Sequence, residues 1–204
     1  ILAPFGENPL LSVRPSSQDP DWGGPSAILN IGMNDVRYVE MGKVIGKSAA
    51  TALYLKFVRA FAVHVSRLDP DAFDIPKDAD EKTLARMLEA YEFETDEVFP
   101  QTVDVQLGEV LRSMARAWDG TTARLLRQAK GAPADAGLGL VVQAMALGVG
   151  ELISGSGVIQ YVDSATGLSQ VTGRYLGQSQ GRDALGDVKG AIYLTNDDRG
   201  PSLE

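Results

Sequence analysis

The sequence predicts an α+β fold with a helical middle and β-rich ends. Between residues 48 and 130, apolar residues recur at spacings of three and four, as on the buried face of an amphipathic helix. Before and after that region, short apolar runs are separated by Gly, Ser and Pro, as in strands joined by turns. The two patterns are segregated along the chain, which is typical of an α+β domain.

The first segment, residues 1–45, is predicted to form a strand and loop element. The run Pro9–Arg14 reads as a short strand. The stretch Pro15–Ser26 is dense in Pro, Ser, Asp and Gly, and such a stretch is either a turn-rich connection or a ligand-binding loop. The apolar run Ala27–Met33 is too short for its periodicity to separate a strand from a helical turn.

The middle segment, residues 46–133, is predicted to be a helical subdomain. Its first helix ends at Asp69, because a residue that precedes proline avoids helical geometry. Asp78 and Asp80 are candidate N-caps of the second helix. The predicted helices are Ser48–Leu68, Asp80–Glu94, Thr102–Trp118 and Thr121–Lys130.

The last segment, residues 134–204, is predicted to form a β-rich lobe. Its apolar runs are short and are separated by Gly and Ser, which favours strands with tight connections. The first of these runs is mainly apolar and is predicted to be a buried strand. The predicted strands are Leu138–Leu147, Gly157–Asp163, Gln170–Leu176 and Gly190–Thr195.

Composition excludes several functional classes. The net charge of -8 argues against nucleic acid as a partner, because phosphate backbones require a basic surface. The absence of cysteine excludes disulfides, thiolate metal sites and a cysteine nucleophile. The uncharged stretch around Ala136–Gly150 is too short and too rich in Gly to span a membrane. We expect a cytoplasmic protein, and because the chain starts with Ile, we expect residues upstream of it.

Arg14 is a candidate phosphate clamp. It ends a predicted strand and faces a loop that contains Gly23 and Gly24. A guanidinium group can bind two phosphate oxygens at once, and a glycine-rich loop lets the backbone approach a ligand closely. The alternative is a surface arginine that precedes a flexible turn.

The run Ser154, Gly155, Ser156, Gly157 supports two interpretations. Glycines allow successive backbone N–H groups to point into one concavity that binds anions. The same composition is typical of a hairpin turn, and the flanking predicted strands favour that turn on local evidence. No Gly-Lys-Ser/Thr follows the run, so a Walker loop is excluded.

Neither a catalytic residue nor a metal ligand is assigned. His64, the single histidine, lies on the apolar stripe of a predicted helix, so we expect a core or half-buried position for it. It has no acidic neighbour three or four residues away that could share a metal ion. The aspartates between Asp69 and Asp80 lack the spacing of a calcium loop and are expected to be solvated.

Taken in order, these motifs resemble the nucleotide-binding domain of pyruvate phosphate dikinase. The stretch Leu11–Asp35 is similar, without a gap, to the strand, arginine and loop element of that family. In the helical middle, Phe99-Pro100-Gln101, Trp118 and Arg124 to Arg127 are similar to the family. Near the end, Val141–Met145, Ser154–Val158, Ala165–Gly167 and Gly173–Asp183 follow the family's pattern of strands and Gly-rich runs. The resemblance covers nearly the whole chain.

The resemblance implies a two-lobed ATP-grasp domain that binds ATP between its lobes. In the complete family enzyme, such a domain transfers phosphate to a histidine on a separate swivelling domain. Residues carried over by position are Arg14 on the phosphates, Gly23 and the Ser154–Gly157 run over them, Gln143 near the adenine, and Lys189 beside the nucleotide. The expected partners are therefore a nucleotide and either further domains of the same protein or a second copy of the chain.

Three departures from the family pattern argue against activity. Arg174 and Arg182 stand where the family has glutamates, and Val162 stands where it has an arginine. An arginine cannot coordinate Mg²⁺ and repels it, so ATP remains a candidate ligand while the argument for Mg²⁺ is weakened. The chain also lacks the family's Thr-Ser-His phosphorylation motif and its pyruvate-binding barrel.

Two functions remain open on the sequence. In the first, the chain is the nucleotide-binding part of a dikinase-like phosphotransferase, a kinase, and is inactive on its own. In the second, it is a noncatalytic ATP-grasp relic with a degenerate active site that binds a ligand or a protein partner.

Overall fold

The computed structural model describes residues 2–150, 153–163, 165–184 and 189–194. The chain divides into two compact units, of which the first comprises Ile1–Lys43 and Ala50–Met145 and the second comprises Val44–Ala49 and Ala146–Glu204. The mixture of helices with antiparallel sheets agrees with the predicted α+β class. The predicted division at residues 45 and 133 follows composition along the chain and stays a prediction.

The first unit contains a three-stranded antiparallel sheet. Its central strand, β1 (Leu11–Ser16), pairs with β2 (Ile28–Ile31) on one side and with β3 (Gly139–Ala144) on the other. Leu11 and Val13 are fully buried on the inner face of β1, which contacts helix α4 (Val103–Asp119). The strand predicted at Pro9–Arg14 is therefore present, two residues further along the chain.

For two strands of this sheet, the sequence either leaves the conformation open or predicts the burial wrongly. The ambiguous run Ala27–Met33 contains strand β2, and Ile28 and Ile31 are buried in the core. The predicted burial of the Leu138–Leu147 run is wrong, because β3 is an edge strand whose residues are exposed or half-buried. An apolar run indicates a strand, but it does not show whether anything covers both faces of that strand.

Gly32 follows β2 at a position that only glycine can occupy. Its φ is +108°, and a Cβ atom there would lie 2.2 Å from the carbonyl oxygen of Pro9. The chain therefore turns tightly out of β2 against the segment that leads into β1. This turn directs the chain into the helical region.

The described residues contain one α-helix more than the sequence indicates, and it lies in the first segment, residues 1–45, which was predicted to form only a strand and loop element. The additional helix, α1, begins after Asn34, whose side chain accepts a hydrogen bond of 2.7 Å from the N–H of Arg37. An Asn N-cap is a sequence signal, but the weakly amphipathic pattern that follows it does not predict a helix. The α-helices are α1 (Asp35–Ile45), α2 (Lys47–Ala60), α3 (Glu81–Thr95), α4 (Val103–Asp119) and α5 (Thr121–Ala129).

A π-helix at Phe61–Val65 extends α2 and changes which side chains it buries. The N–H of Ser66 donates to the carbonyl oxygen of Phe61, five residues earlier, at 3.0 Å. This wider turn places Val65 on the buried side, whereas His64 is exposed. The prediction of a core or half-buried His64 is therefore wrong, because it assumed the period of an unbroken α-helix.

Helix α3 begins at a capping box, as predicted from Asp80. The Asp80 carboxylate accepts hydrogen bonds of 3.0 Å from the N–H groups of Lys82 and Thr83. The Thr83 hydroxyl oxygen in turn accepts from the N–H of Asp80. The N–H groups of Thr83 and Lys82 stabilise the carboxylate and lower the pKa of Asp80.

Phe99 lies at the centre of an aromatic cluster in the first unit. It is 2% exposed, and its ring meets four others edge-on. The nearest ring centroids are those of Tyr91 at 5.1 Å and Phe61 at 5.3 Å, followed by Phe57 at 5.6 Å and Tyr54 at 6.1 Å. Edge-to-face packing of this kind stabilises a core beyond the burial of apolar area alone. The cluster joins α2 and α3 to the segment that precedes α4.

The second unit contains an antiparallel sheet in the order β4-β5-β6. Its strands are β4 (Gly155–Val162), β5 (Ser169–Gly177) and β6 (Ile192–Leu194). They agree with the predicted strands to within about two residues, the usual uncertainty of element ends. Thr195, the last residue of the predicted final strand, lies outside the described residues.

The hairpin turn between β4 and β5 lies between the two predicted strands, Gly157–Asp163 and Gln170–Leu176, as expected. Asp163 accepts hydrogen bonds of 2.8 Å from the N–H groups of Thr166 and Ala165, and these bonds lower the pKa of its carboxyl group. A hairpin turn at Ser154–Gly157 is wrong, because β4 already begins at Gly155. Glycine and serine are common in turns, but pairing with the partner strand decides their conformation here.

None of the helices in the described ranges combines the length and the apolar character needed to cross a lipid bilayer.

Candidate functional site

Arg14 and Gln143 lie on the same face of the first unit's sheet. Arg14 pairs with Val141, and Ser12 pairs with Gln143, in the antiparallel register of β1 and β3. Because directly opposed residues and residues two apart share a face, Arg14 and Gln143 are diagonal neighbours. The fold therefore brings together two residues that are 129 positions apart in the sequence.

Both side chains are available to a ligand. Arg14 and Gln143 are exposed, whereas Leu11 and Val13 on the opposite face of β1 are buried. Within the described ranges, no carboxylate forms an ion pair with Arg14. A guanidinium group fixed on a central strand, with no internal counter-ion, is suited to bind an anion.

Gly23 lies in an exposed loop that the rest of the first unit holds in place. The Lys130 ammonium at the end of α5 donates to the carbonyl oxygen of Asp21. Asp19 organises the same loop, since its carboxylate accepts from the N–H of Asp21 at 2.8 Å. Gly23 has a φ of +72° and open space where a Cβ would be, so it is free to approach a ligand.

The neighbouring glycine contacts a buried aromatic ring. A Cβ on Gly24 would lie 3.8 Å from the ring of Trp118. Trp118 is fixed by a hydrogen bond of 3.0 Å from its indole N–H to the carbonyl oxygen of Ala136, and the Arg127 guanidinium lies 3.6 Å from its ring centroid. The local sequence does not indicate that Lys130 and Trp118 contact this loop. Each contact joins segments that are distant in the sequence.

In the second unit, the run Ser154–Gly157 leads into a paired strand. Gly155 pairs with Gly177, Ser156 with Leu176, and Gly157 with Tyr175. The N–H of Ser156 donates to the Ser179 hydroxyl at 3.3 Å. The run does not form the concave array of free N–H groups that a phosphate loop requires. Its assignment to a nucleotide stays a prediction based on the resemblance.

The glycines of this run are needed for strand packing. A Cβ on Gly155 would lie 2.4 Å from the carbonyl oxygen of Leu176, and one on Gly157 would lie 2.5 Å from that of Arg174. A similar clash, at 2.2 Å from the Val158 carbonyl oxygen, applies to Gly173. Close approach of two backbones is a common reason for glycine within a strand.

Arg174 occupies the middle of this sheet and is half-buried. It pairs with Val158 on one side and with Tyr193 on the other, and its guanidinium carbon lies 5.9 Å from the Tyr193 ring centroid. It also borders a groove of about 300 Å³. The groove is lined by Gly157, Val158, Ile159, Arg174, Tyr175, Ile192 and Leu194. The sequence does not identify Tyr193 as a neighbour of Arg174, although both lie in predicted strands.

Three further positions that the resemblance singles out are Lys189, Arg182 and Val162. Lys189 is exposed in a turn before β6. Arg182 belongs to the short 3-10 helix Gly181–Ala184, and its side chain lies outside the described part of the chain. Val162 ends β4 and is 51% exposed. Each of these positions lies in the second unit, whereas Arg14, Gly23 and Gln143 lie in the first.

The described residues offer no ready site for a divalent cation. No group of three or more Asp, Glu or His side chains that could hold a metal ion occurs in the described ranges. At position 174, the side chain is a fixed cation that would repel a metal ion. The doubt about Mg²⁺ at position 174 stays a prediction based on the resemblance.

The chain is similar to part of several curated pyruvate, phosphate dikinases, while no protein-family model matches it. It is 30% identical over 203 residues to the dikinase of Clostridium symbiosum, and the matched region covers 90% of this chain and 23% of that protein. It is 27% identical over 205 residues to the dikinase of Rhizobium meliloti, and the matched region covers 91% of this chain and 23% of that protein. The chain thus spans about a quarter of the length of these proteins, and its distant homology is to one part of a dikinase.

Proposed function

We propose that the chain is the nucleotide-binding domain of a dikinase-like phosphotransferase and that Arg14 binds the phosphates of ATP. The observation that carries the proposal is the position of Arg14, which is exposed on a central strand, lies diagonal to Gln143 and has no ion-pair partner among the described residues. Both residues fall in segments that are similar to pyruvate, phosphate dikinases. An ATP-grasp arrangement of two lobes around the nucleotide is part of the same proposal.

The resemblance implies roles for the other residues, which belong to the same proposal. Gly23 would allow its anchored loop to approach the phosphates, and Gln143 would offer an amide to the base or ribose. Lys189 falls where the resemblance implies a basic residue beside the nucleotide. The Gly155 and Gly157 positions would contribute a close-packed strand rather than a phosphate loop, because their backbones pair with β5.

Calorimetric titration with ATP tests this proposal. We expect Arg14→Ala to weaken ATP binding by about 1.5–3 kcal/mol, the range for hydrogen bonds to charged groups. Arg124→Ala is the matched control, because Arg124 is an exposed arginine on α5 and its loss changes the net charge equally. Equal affinities of the wild type and Arg14→Ala would refute the phosphate clamp.

We further propose that the isolated chain does not catalyse phosphoryl transfer. These 204 residues contain no phosphorylatable Thr-Ser-His motif. A coupled assay with ATP, phosphate and pyruvate is therefore expected to give no signal above a protein-free control. Pyruvate-dependent consumption of ATP by the purified chain would refute this part.

The alternative is a noncatalytic relic that binds a ligand or a protein partner. Arg174 favours it, because an arginine in place of a family carboxylate removes a ligand for the metal ion that assists transfer. ATP binding distinguishes the two functions, because the nucleotide-binding domain requires it and the relic does not. Absence of ATP binding in the calorimetric experiment, with or without Mg²⁺, would support the relic.

A further inference from the structure

A cavity of about 450 Å³ lies in the first unit, away from the sheet face that carries Arg14. The π-helix Phe61–Val65 and the residues after it form one wall, and α4 and the start of β2 form the other. Its floor is apolar and consists of Ile28, Val110 and Met114, each at most 3% exposed. A cavity of this size accommodates a small organic molecule.

Among the residues that line the cavity, Arg67 carries the formal charge, and it is positive. Arg67 and His64 line it and are exposed, and Ser113 lines it from α4. No Asp or Glu belongs to the lining, which consists entirely of described residues, although the protein as a whole is acidic. Nor does any carboxylate in the described ranges form an ion pair with Arg67. The local charge therefore favours an anionic group at the rim of an apolar cavity.

Arg67 adopts a backbone conformation that normally selects glycine. Its φ is +61°, at the end of the π-helix, where the N–H of Leu68 donates to the carbonyl oxygen of Ala62 at 3.0 Å. Glycine or asparagine is the usual residue in a left-handed helix C-cap. An arginine there costs backbone free energy, and such strain is characteristic of positions where the side chain has a function.

The π-helix is tied to the opposite wall of the cavity. The Ser113 hydroxyl donates to the carbonyl oxygen of His64 at 2.8 Å and so fixes α4 against the last π-helical turn. Insertions of this kind in a helix occur often at functional sites. Here the wider turn exposes His64 beside Arg67 at the cavity.

We propose that this cavity binds a small carboxylic acid with an apolar body, whose carboxylate pairs with Arg67. The buried floor made by Ile28, Val110 and Met114 receives the hydrocarbon part. The guanidinium of Arg67 binds the carboxylate with two parallel hydrogen bonds, and His64 lies beside it. A bare phosphate is disfavoured, because it would leave the apolar floor uncovered.

The test compares two probes that differ only in charge, octanoate and octanamide, by calorimetric titration at constant ionic strength. We expect the wild type to bind octanoate at least tenfold more tightly than octanamide. Arg67→Asn, which tolerates the left-handed backbone, is expected to abolish that preference while octanamide affinity is retained. Ala117→Leu, which narrows the cavity, is expected to weaken both probes.

Controls separate this site from others. Arg124→Ala removes an exposed arginine outside the lining and should leave both affinities unchanged, as should Arg14→Ala, which tests the proposed nucleotide site. Arg67→Gly is a second variant, expected to unfold at the same or a higher temperature than wild type because glycine suits this φ. Equal affinity for the two probes, no binding at millimolar concentration, or the same loss in Arg124→Ala as in Arg67→Asn would overturn the proposal.

Discussion

The side-chain oxygen of Gln106 accepts a hydrogen bond of 2.7 Å from the backbone N–H of Gly32. The amide nitrogen of Gln106 donates to the carbonyl oxygens of Met33 at 2.9 Å and Pro100 at 2.7 Å. Gln106 is fully buried, so this single side chain satisfies three backbone groups of two separate loops. It holds helix α4 against the turn that leaves the sheet.

Replacement of Gln106 by methionine should therefore destabilise the fold strongly. The side chain keeps a similar volume, but buried N–H and carbonyl groups lose their partners, and we expect a loss of about 2–4 kcal/mol in the free energy of unfolding. Urea denaturation measures it. Gln128→Met, at an exposed position on α5, is the control and should change stability by less than about 0.5 kcal/mol. Similar losses in both variants would contradict the role of Gln106.

The aromatic cluster gives a second prediction. Phe99→Ala removes the ring that four others contact, and we expect a loss of about 3–5 kcal/mol, as for large-to-small substitutions of buried phenylalanine. Phe93→Ala is the matched control, since Phe93 is 83% exposed on α3. Thermal unfolding of the wild type and of the two variants gives their order of stability. An unfolding temperature of Phe99→Ala close to that of Phe93→Ala would show that the cluster is not central to stability.

The alkaline limit of stability should depend on Tyr54. Burial raises the pKa of its hydroxyl well above the ordinary value of 10.0, and Asp35 raises it further despite an opposing hydrogen bond from Gln101. The folded state therefore keeps the proton to higher pH than the unfolded chain. This contribution to stability is complete below about pH 10 and is lost above it, by up to about 1.4 kcal/mol per pH unit.

Unfolding free energies measured between pH 8 and pH 11 test this dependence. Tyr54→Phe should show a shallower decline above pH 10 than the wild type, with a remaining slope from Tyr91, whose pKa burial also raises. Tyr161→Phe is the control for the loss of a tyrosine hydroxyl outside the core, since Tyr161 is 65% exposed. An unchanged slope in Tyr54→Phe would show that the hydroxyl ionises as readily in the folded state as in the unfolded chain.

Local patterns predicted much of this fold. Apolar spacing predicted α3 and α4 to within about two residues, and Asp80 predicted the start of α3, because helix periodicity and capping are properties of contiguous residues. The π-helical turn was not predictable in this way. It depends on Ser113 from α4 and on the packing of Phe61, and its consequence is that His64 is exposed.

The candidate site was predictable only in part. Arg14 was identified from its place after a strand, but its position diagonal to Gln143 depends on a register between distant strands. The anchor from Lys130 to Asp21 and the pairing of Arg174 with Tyr193 likewise join separate segments. The Gly155 and Gly157 positions were misassigned to a turn, because composition alone does not separate a turn from a close-packed strand.

Arg174 gives a prediction about metal dependence. The resemblance places a family carboxylate at position 174, where this chain has a cation, so we expect ATP binding to be independent of Mg²⁺ or weakened by it. Titrations with ATP in excess EDTA and in Mg²⁺ measure the difference. In Arg174→Glu, we expect Mg²⁺ to strengthen binding relative to the wild type. A strict requirement of the wild type for Mg²⁺ would contradict this interpretation of Arg174.

The most direct test of the account is whether ATP phosphates meet Arg14, and phosphorus NMR observes those phosphates individually. Addition of the chain to ATP in excess EDTA should shift or broaden the β- and γ-phosphorus resonances. The effect should be lost in Arg14→Ala and kept in Arg124→Ala, which has the same net charge. Unperturbed resonances with wild-type chain, or equal perturbation by Arg14→Ala, would contradict the proposal that this sheet face binds the nucleotide.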